Sequence, residues 1–236
     1  MPVKFSTIAF DADDTLWENQ AFFRLTQERF ADLLADYTER DHLAERLLVA
    51  ERRNLGHYGF GVKGFVLSMI ETAIEVTDEK VPAHVIRRLI EAGQDMLQYP
   101  IHLLDGVEET VRALAPAYDL LLVTKGDLLD QERKLAQSGL GDLFDGVEIV
   151  SDKSANVYSG IFSRRGIAPG EAMMIGNSMK SDVIPPLDAG AWGVYVPHGH
   201  TWELEHAAPP ADHPKYRSVE NLGEIPDLLS EIQTSG

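Results

Sequence analysis

The first apolar run, residues 5–10, is short and stops abruptly at Asp11, as expected of a buried strand. From residue 17 the period changes. "FFRLTQERFADLLADY", "HLAERLLVAERR", "VKGFVLSMIETAIEV" and "PAHVIRRLIEAGQDMLQY" repeat their apolar positions at helical spacing, with no convincing strand among them. Glycine-rich "NLGHYGFGVKG" and Pro82 break this block, and it ends at Tyr99-Pro100.

After Pro100 the two periods alternate. "GVEETVRALAPA" reads as a helix and "YDLLLVT" as a strand with a polar end at Thr124. "DLLDQERKLAQSGLG" reads as a helix capped by Asp127 and stopped near Gly139. "GVEIVS", "AMMIGN" and "AWGVYV" read as further strands, separated by helical "SANVYSGIFSRRG" and a short helix in "DVIPPLDAG". "HPKYRSVENLGEIPDLLSEIQ" is expected to close the sheet edge and add a last helix. Strands alternating with helices predict parallel βαβ units, hence a doubly wound parallel-sheet α/β core. That core takes residues 1–16 and 101–236, with residues 17–100 inserted as an α-helical cap domain.

Composition narrows the function. The chain has 236 residues, 44% hydrophobic and 25% charged, an ordinary globular balance. A formal charge of −17 argues against a nucleic-acid surface. It also means that an anionic substrate needs a metal ion or a few placed cations to overcome repulsion. Cysteine is absent, which excludes disulfides, thiolate zinc sites and cysteine nucleophiles. No apolar run approaches the ~20 residues that span a bilayer, and "MPVKFSTIAF" lacks the regions of a signal peptide. A cytoplasmic monomer or homodimer with no membrane partner is the expectation.

Ligands of an open α/β sheet bind outside the carboxyl ends of the strands. Asp11, Asp13 and Thr15 follow the first strand. Thr124, Lys125 and Gly126 follow the second. Asp152 and Lys153 follow "VEIVS", and Gly176, Asn177, Ser178 and Asp182 follow "MMI". Asp11 and Asp182 are hard oxygen ligands suited to Mg²⁺. One aspartate beside the metal can attack phosphorus, and a second, two residues on, can carry the proton. Thr124 and backbone N–H groups near Asp127 can hold phosphoryl oxygens, and Lys153 can neutralise charge.

These four ordered motifs resemble those of the haloacid dehalogenase-like superfamily, specifically its phosphatases with a helical cap. Asp11-Ala12-Asp13-Asp14-Thr15, Thr124, Lys153, and Gly176-Asn177-Ser178 followed by Asp182 carry the likeness, which covers essentially the whole chain. The resemblance implies that Asp11 is nucleophile and metal ligand. It makes Asp13 the general acid/base, whose backbone carbonyl also meets Mg²⁺, and Asp182 the second metal carboxylate. Thr124 and Lys153 would position the phosphoryl group of a small phosphorylated metabolite. Asn177 departs from the pattern, standing where the family has Asp; its amide can still orient a metal-bound water, with weaker Mg²⁺ binding expected.

Asp14 is expected to face solvent or cap the linker. Lys125 reads as a rim residue whose backbone N–H can meet phosphate. In the insert, Arg52, Arg53, His57, Tyr58 and Lys63 surround glycines, and Tyr58 and Lys63 are the first choices for substrate contact, with a plain interhelical loop the equal alternative. His198 and His200 read as loop residues near the rim. The leading expectation is a Mg²⁺-dependent phosphatase working through an aspartyl-phosphate. A phosphomutase shares the same groups. A metal-independent 2-haloacid dehalogenase needs no acid at Asp13, and a non-catalytic binding module would not need the intact set.

Overall fold

The computed structural model describes residues 3–199 and 201–235. Chain contacts divide it into two compact units. One comprises Met1–Glu18, Ile101–Lys125 and Gln131–Gly236, and the other Asn19–Pro100 with Gly126–Asp130.

The first unit holds β1 (Thr7–Phe10), β2 (Asp119–Lys125), β3 (Gly146–Val150), β4 (Ala172–Gly176), β5 (Trp192–Tyr195) and β6 (Tyr216–Ser218). All pair in parallel, in the order β3-β2-β1-β4-β5-β6. The expected doubly wound sheet is therefore present. Winding reverses at β1, which has β2 on one side and β4 on the other. The crevice beyond the carboxyl ends of β1 and β4 is thus the topological switch point, where such sheets bind ligands.

Strand periodicity explains both layers. Successive strand side chains point to opposite faces. Ile8 and Phe10 join Leu120, Leu122, Met173, Ile175, Trp192 and Val194 in one cluster. That cluster is completed by Val107 and Val111 of α5 (Val107–Leu114) and by Ile225 and Leu229 of the carboxyl-terminal α9 (Ile225–Ser235). The intervening Ala9, Leu121, Val123, Ala172 and Met174 turn the other way, onto Tyr158, Ile161 and Phe162 of α7 (Ala155–Arg165). Burying each large side chain contributes roughly 1.5–3 kcal/mol. A sheet apolar on both faces is the reason these strands read as continuous apolar runs.

The segment expected to be one short helix divides in two. A π-helical turn at Met179–Val183 leads into α8 (Ile184–Asp188), whose two prolines lie in its first turn. Proline fits there because the first-turn N–H groups lack helical acceptors anyway. This turn presses on β5. A Cβ on Gly193 would lie 2.8 Å from Val183 O.

The second unit contains α1 (Gln20–Leu33), α2 (Arg40–Tyr58), α3 (Val62–Val76) and α4 (Ala83–Met96), and no strand lies among its described residues. Phe30, Leu43, Leu47, Phe65, Met69 and Leu89 centre its own core. The glycine-rich break is shorter than its composition implied. Helix α2 runs through Gly56 to Tyr58, so Arg52, Arg53 and His57 are helical, and only Gly59–Gly61 turns the chain, with φ of 72° and 115° at the two glycines. Trp17 and Glu18 stay with the first unit. There Leu104 N donates to Leu16 O at 3.0 Å and Glu18 N to His102 O at 3.0 Å, so the departing and returning strands of chain are tied together.

Gly193→Ala forces the turn off the sheet. It is expected to lower stability by about 1–3 kcal/mol, read as a lower urea midpoint at unchanged slope.

Candidate active site

The site starts from a tight turn after β1. Asp11 N donates to Ile175 O at 2.9 Å, continuing the ladder one residue past the strand. Leu16 N then reaches back to Ala12 O, and Asp14 N to Trp17 O, both at 2.8 Å. Asp14 takes φ 61° to make this turn. Aspartate is among the few L-residues that tolerate this left-handed conformation. The structure corrects the expectation that Asp14 faces solvent, since it is buried. Its Oδ1 lies 3.7 Å from His198 Nδ1, and His198 Nε2 lies 3.8 Å from Glu18 Oε1. One potential ligand atom from each of the three falls within 4.8 Å of the others. His200 lies outside the described residues.

Lys153 leaves the end of β3 and is 3% exposed. Its ammonium donates to Asp11 Oδ1 and, at 2.7 Å, to Asp182 Oδ1. Asp182 is 1% exposed, and its Oδ2 accepts from Ser178 N at 2.9 Å. Gly176 makes room for it, because a Cβ there would sit 2.5 Å from the Asp182 carboxyl. Two buried carboxylates share one ammonium. Burial and Asp182 together push the Asp11 carboxyl up to about 7, against the pull of Lys153. Burial also opposes the charge on Lys153, but Asp11 and Asp182 outweigh it and hold the ammonium above the usual lysine range.

Asp13, two residues on, belongs to a different group of partners. Trp17 Nε1 donates to its Oδ1 at 2.8 Å, and Gln131 Nε2 to its Oδ2 at 2.9 Å. Lys134 Nζ meets both oxygens, at 2.9 and 3.1 Å. Gln131 also donates to the buried Thr124 Oγ1 at 3.0 Å and to Lys125 O at 2.7 Å. Gln131 and Lys134 come from α6 (Leu128–Ser138), three residues apart and hence on one face. That spacing, on a helix entered directly from Thr124, is the signal by which sequence reasoning could have found them.

Glu205 was also missed. It comes from a short helical turn at Glu203–Glu205, in the loop after β5, and nothing in its local pattern marks it. Its carboxylate accepts from Lys125 Nζ at 2.6 Å and from Ser178 Oγ and Ser181 Oγ at 2.5 Å each. Burial would raise its pKa, but Lys125 and the two hydroxyls prevail and hold it below the usual range. Lys125 also donates to Ser181 Oγ at 2.7 Å. Its ammonium is therefore committed to Glu205 and Ser181 and does not stand at the rim as expected. Asn177 lies across the turn from Asp11. Thr15 Oγ1 accepts from Asn177 N at 3.1 Å and lies 3.1 Å from Asp11 Oδ2, to which it donates.

Asp11, Asp182, Lys153 and Asn177 thus converge, with Asp13 and Thr124 joined to each other through Gln131. Gly126, with φ 137°, follows β2 and begins the short segment that groups with the second unit. Tyr58 and Lys63 lie in that unit and have partners there. Tyr58 Oη donates to Glu71 Oε1 at 3.1 Å, and Lys63 Nζ to Asp127 Oδ1 at 3.1 Å.

Comparison with known proteins places this geometry. A model of the haloacid dehalogenase-like hydrolases matches residues 5–190. A haloacid dehalogenase-like family hydrolase from Xanthomonas campestris is 39% identical, over 98% of this chain and 93% of that one, with a TM-score of 0.88. A 2-haloacid dehalogenase from Pseudomonas syringae pv. Tomato is 18% identical over 96% of this chain and 99% of its own, at TM-score 0.63. A phosphatase of the same family from Thermococcus onnurineus is 20% identical over 95% and 98%, at TM-score 0.62. These last two show the fold alone. No curated protein matches the sequence.

A raised Asp11 pKa means that the folded, metal-free protein binds a proton that the unfolded chain has lost between about pH 4 and pH 7. Stability contributed by that proton is present at low pH and lost as pH rises through 7. Asp11→Asn removes the penalty. Its metal-free stability is expected to match wild type near pH 4 and to exceed it at pH 8 by on the order of 4 kcal/mol at most, read as a higher unfolding temperature.

Proposed function

Since the chain belongs to the haloacid dehalogenase-like hydrolases, we propose that it is a Mg²⁺-dependent phosphatase that cleaves a small phosphomonoester through an aspartyl-phosphate on Asp11. The observation that carries this reading is Asp13. A second carboxylate two residues after the nucleophile, held by Trp17, Gln131 and Lys134, supplies a proton carrier. Phosphoryl transfer uses one, and halide displacement has no use for one.

Charge supports the metal. Lys153, Lys134 and Lys125 are paired with Asp11, Asp182, Asp13 and Glu205, four carboxylates against three ammoniums, a formal charge of minus one. A phosphate ester would add two more negative charges to a site that already repels it. The donors also fit a divalent cation. Asp11 and Asp182 are buried hard-oxygen ligands, and Asn177 and the Asp13 carbonyl would complete an oxygen set. When bound there, Mg²⁺ supplies charge neutralisation for the phosphoryl oxygens.

The chain's own residues do the rest. Lys153 and the Thr124 hydroxyl hold phosphoryl oxygens. Asp11 attacks phosphorus as the ester P–O bond breaks, and Asp13, which takes up a proton before this step, gives it to the leaving oxygen. Asp13, now a carboxylate, takes a proton from water as the water oxygen bonds to phosphorus and releases Asp11. The helical unit, residues 17–100 by the sequence reading, acts as the cap that selects the leaving group. Lys63 and Tyr58 are its proposed substrate contacts, and Gly126 is a further proposed one through its backbone.

Hydrolysis of p-nitrophenyl phosphate by the purified protein is expected with Mg²⁺. It should fall to background with EDTA or with Asp11→Asn. Activity that survives either treatment, or halide release from a 2-haloacid in EDTA, overturns the reading. Asn177→Asp adds a ligand charge, and its half-saturating Mg²⁺ concentration is expected to drop roughly tenfold; an unchanged value removes Asn177 from the metal set.

A further inference from the structure

Asp13 is caught between donors from two directions. The Trp17 indole approaches from its own turn, and Lys134 and Gln131 approach from one face of α6. Lys134 is the unusual member. It is a lysine 9% exposed, its ammonium bridging both oxygens of one carboxylate. A lysine is rarely kept from water without a specific partner. Gln131 is 3% exposed and links the same carboxylate to Thr124. With both oxygens engaged, the Asp13 carboxyl plane is held by two side chains of α6 beside the one donor from its own turn. The loop itself turns through the left-handed Asp14.

We propose that Lys134, assisted by Gln131, is the positioning residue for Asp13. It fixes the carboxyl group so that the proton passes to the leaving oxygen in the first half-reaction and comes from water in the second. The inference rests on the reading of Asp13 as proton carrier. It also ties the phosphoryl-binding and proton-transfer groups together, since Gln131 contacts Thr124 and Asp13 at once. Lys134 acts through Asp13 and needs no contact with substrate.

Leaving-group dependence tests this. p-Nitrophenolate departs readily without a proton, whereas the alkoxide of glycerol 2-phosphate does not. In single-turnover experiments with Mg²⁺, Lys134→Met is expected to slow cleavage of glycerol 2-phosphate by about 10–100-fold. The p-nitrophenol burst should stay within about threefold of wild type, as proton assistance matters little there. Lys134→Arg should recover most of the loss, because it restores a cation of similar reach. Should Lys134→Met fail to fold, Gln131→Leu carries the same expectation in weaker form. Equal loss on both substrates marks a merely structural lysine and overturns the proposal, as does no loss on either. A wild type inactive on every phosphomonoester removes the phosphatase reading itself and the proposal with it, whereas an active wild type with an undivided Lys134→Met response removes the proposal alone.

Discussion

One buried ammonium organises the site. Lys153 lies between Asp11 and Asp182 with almost no exposure to water. Taking three charges out of water is costly, and the attraction among them offsets that cost only if the geometry is good. The geometry is supplied by the sheet. Asp11 follows β1, Lys153 follows β3 and Asp182 follows β4, so three strand ends must be in register for the contact to exist. Removing Lys153 strands two buried carboxylates, whereas removing one carboxylate leaves a matched pair. The surrounding details serve this contact: the absent side chain at Gly176, the Ser178 amide on Asp182 and the Thr15 hydroxyl on Asp11.

Around that centre, charge is matched carboxylate by carboxylate. Lys134 answers Asp13 and Lys125 answers Glu205, while Lys153 answers two acids and leaves one excess. In a chain of net charge −17 this local balance is not a consequence of composition. It is built from four loops, one helix and the end of β2. The same arrangement rigidifies the approach to the site. Glu205 fastens the loop after β5 to Ser178 and Ser181, and Tyr158 Oη donates to Ser181 O at 3.1 Å from the opposite side. The turn bearing Asp182 is therefore held from both flanks, and a ligand at these residues would meet a set already arranged. Pre-arrangement of that kind is what makes an electrostatic site effective, since little reorganisation remains for the reaction step.

Much of this was legible in the primary structure. The strand and helix order follows from apolar period, and a sheet apolar on both faces follows from unbroken apolar runs. Asp11, Thr124, Lys153 and Asp182 could be found because a chemical rule applies to strand ends, wherever the strands lie. Errors arose where burial depends on neighbours. Asp14 looked solvent-facing because it is charged and lies in a turn, yet the loop folds over it and His198 faces it. Lys125 looked like a rim cation, yet Glu205 reaches it from 80 residues away. The glycine-rich stretch looked like a long loop, but Gly56 is carried within α2 because the helix is stabilised by packing and ion pairs of its neighbours against α3, Arg53 to Glu71 among them.

By itself the sequence determined which residues alternate inward, where each strand stops and which side chains stand at those stops. These are properties of local spacing, and the backbone's periods of 2.0 and 3.6 translate spacing into direction. Only the tertiary structure decided which ammonium meets which carboxylate. Lys153 and Asp11 are 142 positions apart, Lys134 and Asp13 are 121 apart, and an ion pair depends on distance in space and on exclusion of water. Neither quantity is written in any local pattern; both come into being when the sheet closes in the order that puts β1 at its centre.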